Sequence, residues 1–132
     1  MKTNFDKLYK MDTDLEKEGV WIEFPNGAGF KVRRFGGTNS QKLRSVVTTI
    51  TKPLSRQIEM GTLTEEQERK VMVESFVKAC LIDWRNVSID DKEVPYSEVK
   101  AIELFMELPE LFTVLSKQSE NKDNYKSEVG NG

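Results

Sequence analysis

Apolar residues recur along this chain with two periods, and each period marks a different kind of element. Val20, Ile22 and Phe24 alternate with Trp21 and Glu23, and Phe30 and Val32 alternate with Lys31 and Arg33. A period of two puts each set on one face of a strand. Between them lies Pro25-Asn26-Gly27-Ala28-Gly29, whose Asn-Gly pair tolerates the positive φ of a tight turn. The pattern predicts a β-hairpin over residues 20–35. Two strands alone are marginal in water, so the hairpin must pack on helices or pair with another chain. Lys31 and Arg33 then point away from the packed face.

Past Gly36-Gly37 the period lengthens. Leu43, Val46, Val47, Ile50, Leu54 and Ile58 follow at steps of three or four, the apolar face of a helix. Pro53 removes a backbone donor and should kink or divide that helix near Thr51-Lys52, and Gly61 is a natural stop. Thr64-Glu65-Glu66-Gln67 has the form of a capping box. The helix it opens runs through Val71, Phe76 and Ala79 to Ile82 and is apolar over most of its circumference beyond the first two turns, as a central helix would be. Asp83 to Val87 then leaves the helix, and Ser88 to Glu93 turns the chain. Pro95 holds Val94 extended, and Ser97 caps a helix carrying Val99, Ile102, Phe105 and Met106. Pro109 suits the first turn of a last helix that buries Leu111, Phe112 and Leu115.

These elements predict a mainly α fold with a small N-terminal β-hairpin (α+β), a compact bundle of four to five helices in one domain over residues 1–116. At the N-terminus, Phe5, Leu8 and Tyr9 have helical spacing and suit either a short docking arm or a frayed end. The stretch 117–132 is polar and nearly neutral and reads as a disordered tail.

Composition narrows the function classes. The chain has 132 residues, 37% hydrophobic and 32% charged, with net charge −2. No apolar run is long enough to span a bilayer, and the first residues lack the apolar core of a secretory signal. With no histidine, Ser-His and Cys-His nucleophile pairs and Cys/His zinc sites are excluded. The single cysteine, Cys80, lies in an apolar helix and reads as an inert buried thiol of a cytoplasmic protein. GxGxxG, P-loop and GxSxG motifs are absent, and a non-enzymatic protein without cofactor or metal is expected. A carboxylate hydrolase built on Asp83 and Asp90 ranks last.

Charge is unevenly spread. Residues 30–58 hold seven bases (Lys31, Arg33, Arg34, Lys42, Arg44, Lys52, Arg56) and no acid, whereas 61–112 hold twelve acids against six bases, or −6. Either the two halves face each other within the fold, or the split serves an ionic partner or self-association. Lys31, Arg33 and Arg34 are the candidate ionic contacts. A nucleic-acid-binding module using 30–58 is one alternative, although a chain pI of about 5.4 gives it little support. Asp90, Asp91 and Glu93 lack the ligand spacing of an EF-hand and read as a solvated turn. Trp84 reads as a fold anchor whose indole N–H needs an acceptor from the turn that follows. Phe105, Met106, Leu108, Leu111 and Phe112 form the candidate partner-binding group, since methionine and aromatics suit adaptable surfaces.

The succession Ala79-Cys-Leu-Ile-Asp-Trp-Arg-Asn-Val87, an acidic turn, Val94-Pro-Tyr-Ser-Glu98 and Leu108-Pro-Glu-Leu-Phe112 resembles the tail assembly chaperones of long-tailed bacteriophages. The likeness covers about residues 70–116, and Asn86 stands where glycine is common in those proteins. It implies a protein that binds the tape measure protein, keeps it soluble and promotes assembly of tail tube subunits around it in the host cytoplasm, then is absent from the mature virion. It further implies an apolar groove or strand edge for a helical client, together with reversible self-association. A virion structural or connector subunit, with the hairpin edge joined to a neighbour's sheet, is the other reading of the same elements.

Overall fold

In the computed structural model, which describes residue 5 and residues 9–126, the hairpin predicted over 20–35 is present as β1 (Val20–Glu23) and β2 (Gly29–Val32), antiparallel with Ile22 opposite Phe30. A third strand, β3 (Leu81–Arg85), joins the free side of β2 antiparallel, giving the order β1-β2-β3 and setting Trp84 opposite Phe30. The apolar run Ala79–Ile82 suggested that the preceding helix continued to Ile82. It stops at Ala79 instead, because a short buried strand and a buried helical turn have the same apolar signature and only the partner strand distinguishes them. The hairpin is therefore completed within its own chain.

A short helix, α1 (Thr13–Glu18), capped by the Asp12 carboxylate, leads into β1. After β2 a 3-10 turn at Gly37–Asn39 opens α2 (Ser40–Thr51). At Pro53 the helix is interrupted by a 3-10 turn (Lys52–Leu54) and resumes as α3 (Ser55–Met60), which ends on Gly61 at φ 65°. Thr64 and Gln67 form the expected capping box at the start of α4 (Glu65–Ala79). Beyond β3, β4 (Ser88–Ile89) and β5 (Lys92–Glu93) form a small ribbon. α5 (Glu98–Glu107) is capped by Ser97, and α6 (Pro109–Glu120) begins on Pro109.

The core is a chain of aromatic rings between the sheet and α4, α5 and α6. Phe76 of α4 meets Phe35, Phe105 and Phe112 edge-on at 5.5, 6.2 and 5.5 Å, and Phe105 reaches Phe30 of β2 at 6.0 Å. Phe30 in turn meets Trp84 edge-on at 6.1 Å, and Trp84 meets Tyr96 at 5.3 Å. Such pairs add about 0.5–1.5 kcal/mol each beyond area burial.

The polar stretch from Lys117 is not a disordered tail as far as residue 126. α6 runs through Glu120, and a 3-10 turn (Lys122–Tyr125) folds back to bury Tyr125 completely. The Tyr125 hydroxyl donates to the Ser119 carbonyl at 2.9 Å, and the Asp12 N–H donates to the Tyr125 carbonyl at 2.8 Å. One aromatic residue in a polar segment anchors both ends of the fold. Residues 127–132 of the predicted tail, and Leu8 of the predicted N-terminal arm, lie outside the described residues. Among the described residues, no helix is long and apolar enough to cross a membrane.

Candidate functional site

Trp84 is held as the sequence requires of an anchor, although in a strand and not a turn. It is 5% exposed, and its indole Nε1 donates to the Val94 carbonyl at 2.7 Å. Just past it, Asn86 takes φ 55°, a left-handed conformation that glycine adopts most easily and asparagine tolerates. Its amide also donates to the Gly27 carbonyl at 3.1 Å, tying β3 to the hairpin tip. Asp90 and Asp91, at φ 53° and 62°, are the two central residues of the turn joining β4 to β5. Two consecutive left-handed residues make a hairpin turn of the type that aspartate accommodates. Among the described residues no group of three or more Cys, Asp or Glu side chains could hold a metal ion. Cys80 is buried, and desolvation pushes its thiol up to about 12, so it stays protonated at neutral pH.

The five candidate partner-binding residues separate. Phe105 and Phe112 are core residues in ring contact at 5.7 Å, which removes them from any docking surface. Met106 and Leu111 are half-buried, and Leu108, at the junction of α5 and α6, is 48% exposed. Helical spacing shows that all five share apolar character. It does not show which way the α5–α6 corner turns, and the corner decides which of them face out.

Leu108 and Leu111 border a hollow of about 160 Å³ walled by Phe24, Ala28, Phe30, Val87 and Leu104, with Asn26, Asn86 and Ser88 on its polar side. Phe24 also borders a second, wider hollow of about 380 Å³ between β1 and α6, lined by Trp21, Ile22, Pro25 and Val114 with Glu23, Gln118 and Asn124 as its polar side. Val114 is 48% exposed and was not among the predicted residues, because a single valine one turn past Leu111 carries no separate signal. Phe24 thus joins the two hollows into one apolar strip from Leu108 to Val114 along the β1 edge of the sheet. Trp21 and Glu23 also meet β3: the Arg85 guanidinium lies 4.2 Å from the Trp21 ring centroid and pairs with Glu23. Among the described residues β1 pairs on one side only, so the strip lies beside an edge strand.

The ionic candidates have mixed fates. Arg33 Nε donates to the Lys17 carbonyl at 2.8 Å, and Arg34 lies 3.8 Å from the buried Glu16 carboxylate, which also accepts from the Thr38 N–H and hydroxyl. Both arginines are therefore engaged in holding α1, and Lys31 stands half-buried on the middle strand. Nothing in the sequence marked Glu16 as buried, since a lone acid in a polar helix ordinarily faces water. Among the described residues no ion pair joins 30–58 to 61–112. The two segments meet through the β2–β3 ladder, apolar packing and hydrogen bonds such as Asn39 to the Ala79 carbonyl and Gln57 with Gln67.

A family model described as YdaY prophage protein matches residues 38–130, which is 93 of the 132 residues. No curated protein and no solved structure matches the chain.

Proposed function

Since the chain belongs to the YdaY prophage protein family and is phage-derived, we propose that it acts as a tail assembly chaperone, binding the tape measure protein and keeping it soluble while tail tube subunits assemble around it. The observation that carries this reading is the apolar strip formed by Leu108, Leu111, Phe24 and Val114 beside the β1 edge. A long helical client exposes repeated apolar side chains before it is packaged. A strip with two half-exposed aliphatic residues and shallow hollows between them can take such side chains without a fixed sequence requirement. The buried aromatic core fixes the strip from behind, so little ordering is needed on binding. Tail assembly would place the protein in the host cytoplasm and leave it out of the finished particle.

Co-expression tests the proposal. A tape measure fragment from the same prophage, insoluble alone, should become soluble and co-purify with this chain. Mass spectrometry of purified particles should then miss the chain. No rescue and no complex would refute the chaperone reading, and abundant chain in the particle would assign it to the virion structure.

A further inference from the structure

The arm formed by α2, its 3-10 turn and α3 packs along α4, with Leu43 and Val46 half-buried against the core. No residue from Ser40 to Met60 is fully buried. Between this arm and the first turns of α4 runs a groove of about 260 Å³ floored by Ile50, Pro53, Leu54 and Val71, with Gln67, Lys70 and Glu74 along its α4 side. Lys42, Arg44, Lys52 and Arg56 on the arm are exposed and, among the described residues, none has an ion-pair partner. The groove therefore suits an apolar ridge edged with carboxylates.

Such a ridge stands elsewhere on the same molecule. α5 buries Ala101, Leu104 and Phe105, so its outward face carries Val99, Glu103 and Glu107, with Met106 at its edge, half-buried against the core. Val99 is 65% exposed. Val99 and Met106 lie seven residues apart, two helical turns, which is the spacing by which a helix seats two side chains in a groove. The Lys100–Glu103 pair on this face is exposed and offers weak competition for the glutamate.

The ridge cannot reach its own groove. Gln67, Lys70, Val71 and Glu74 form one stripe of α4, and Phe76, which touches Phe105 of α5, falls about 170° away around that helix at 100° per residue. α4 thus separates the two surfaces. We propose that the occupant of the groove is α5 of a second copy, with Val99 and Met106 seated over Ile50, Leu54 and Val71, and with Glu103 and Glu107 meeting Lys52 and Arg56. The contact is head-to-tail, so each copy keeps one groove and one ridge free and the association extends beyond a dimer. It uses neither Leu108 nor Val114, and it stands or falls apart from the client-binding reading.

Sedimentation of the full chain over a concentration series tests it. At low ionic strength the mean mass should rise with concentration beyond that of a dimer, and at high salt it should return to that of a monomer. K52E/R56E and E103K/E107K should each be folded by circular dichroism and largely monomeric. Mixed together they should associate beyond a dimer in strict alternation, because the native ridge of one meets the native groove of the other and the two reversed surfaces also complement each other. All four changes in one chain should restore extended association. A monomer at every concentration at low salt overturns the proposal, as does association that either charge reversal leaves unchanged. So does salt-sensitive binding of duplex DNA by a chain that does not self-associate, which would assign the arm to nucleic acid.

Discussion

Replacing Trp84 with alanine removes the ring that joins the sheet to the rest of the core. A buried tryptophan covers roughly 150–250 Å², and at about 25 cal/mol per Å² that is some 4–6 kcal/mol on an extended-chain reference. Residual burial in the unfolded chain lowers this by about 10–40%. The edge contacts with Phe30 and Tyr96 and the bond to the Val94 carbonyl are lost as well. They overlap with the burial estimate, so Trp84→Ala should cost about 3–5 kcal/mol. Trp84→Phe keeps a ring against Phe30 and gives up mainly the indole N–H, so it should cost about 1–2 kcal/mol. Urea unfolding followed by far-UV circular dichroism measures both, with the midpoint shifting and the slope unchanged. A loss below about 1 kcal/mol for the alanine variant would mean that the ring is not packed as described.

Tyr125→Ala should cost about 3 kcal/mol in the same assay, because the ring is fully buried and its hydroxyl donates to the Ser119 carbonyl. A disordered tail would give no measurable change. Above pH 9 the fold should lose stability. The Cys80 thiol is raised from 9.0 to about 12 by burial and the Tyr96 hydroxyl from 10.0 to about 12, so the unfolded chain ionises first. The stability the buried Cys80 thiol contributes is present below pH 9 and is lost as pH rises toward 12, at up to about 1.4 kcal/mol per pH unit, and the half-exposed Tyr96 adds less because solvent screens it. Cys80→Ala should flatten the lower part of that decline, and an unchanged alkaline profile would contradict the burial of the thiol. Cys80 should also react with a thiol reagent at pH 8 only as fast as the chain opens, with the rate rising steeply in urea. Immediate reaction in the native state would show that the thiol is accessible.

Local chemistry written in single residues was legible in the sequence. Asn26-Gly27 marked the hairpin, Pro53 the break in the basic helix, Thr64 with Gln67 the start of α4, and Ser97 and Pro109 the starts of the last two helices. What depends on distant partners was not. β3 is a strand because β2 lies beside it, and Leu81–Arg85 alone reads equally well as the end of a helix. Tyr125 is core because the chain folds back over α1, which the polarity of its neighbours hid. The candidate site shows the same division. The apolar character of residues 105–112 was evident, but the α5–α6 corner turns Phe105 and Phe112 inward and leaves Leu108 outside, where Val114 and Phe24 complete a strip that no local spacing announces.

The client-binding reading is tested most directly by titrating the purified chain with a soluble tape measure segment from the same prophage and comparing wild type with Leu108→Asp/Val114→Asp. Both side chains are about half exposed, so the variant should fold normally. Wild type and K52E/R56E are predicted to bind alike, and the double aspartate variant to bind at least about tenfold more weakly, the equivalent of 1.4 kcal/mol. Equal binding by the wild type and the double aspartate variant, or no binding by either, would contradict the assignment of the strip.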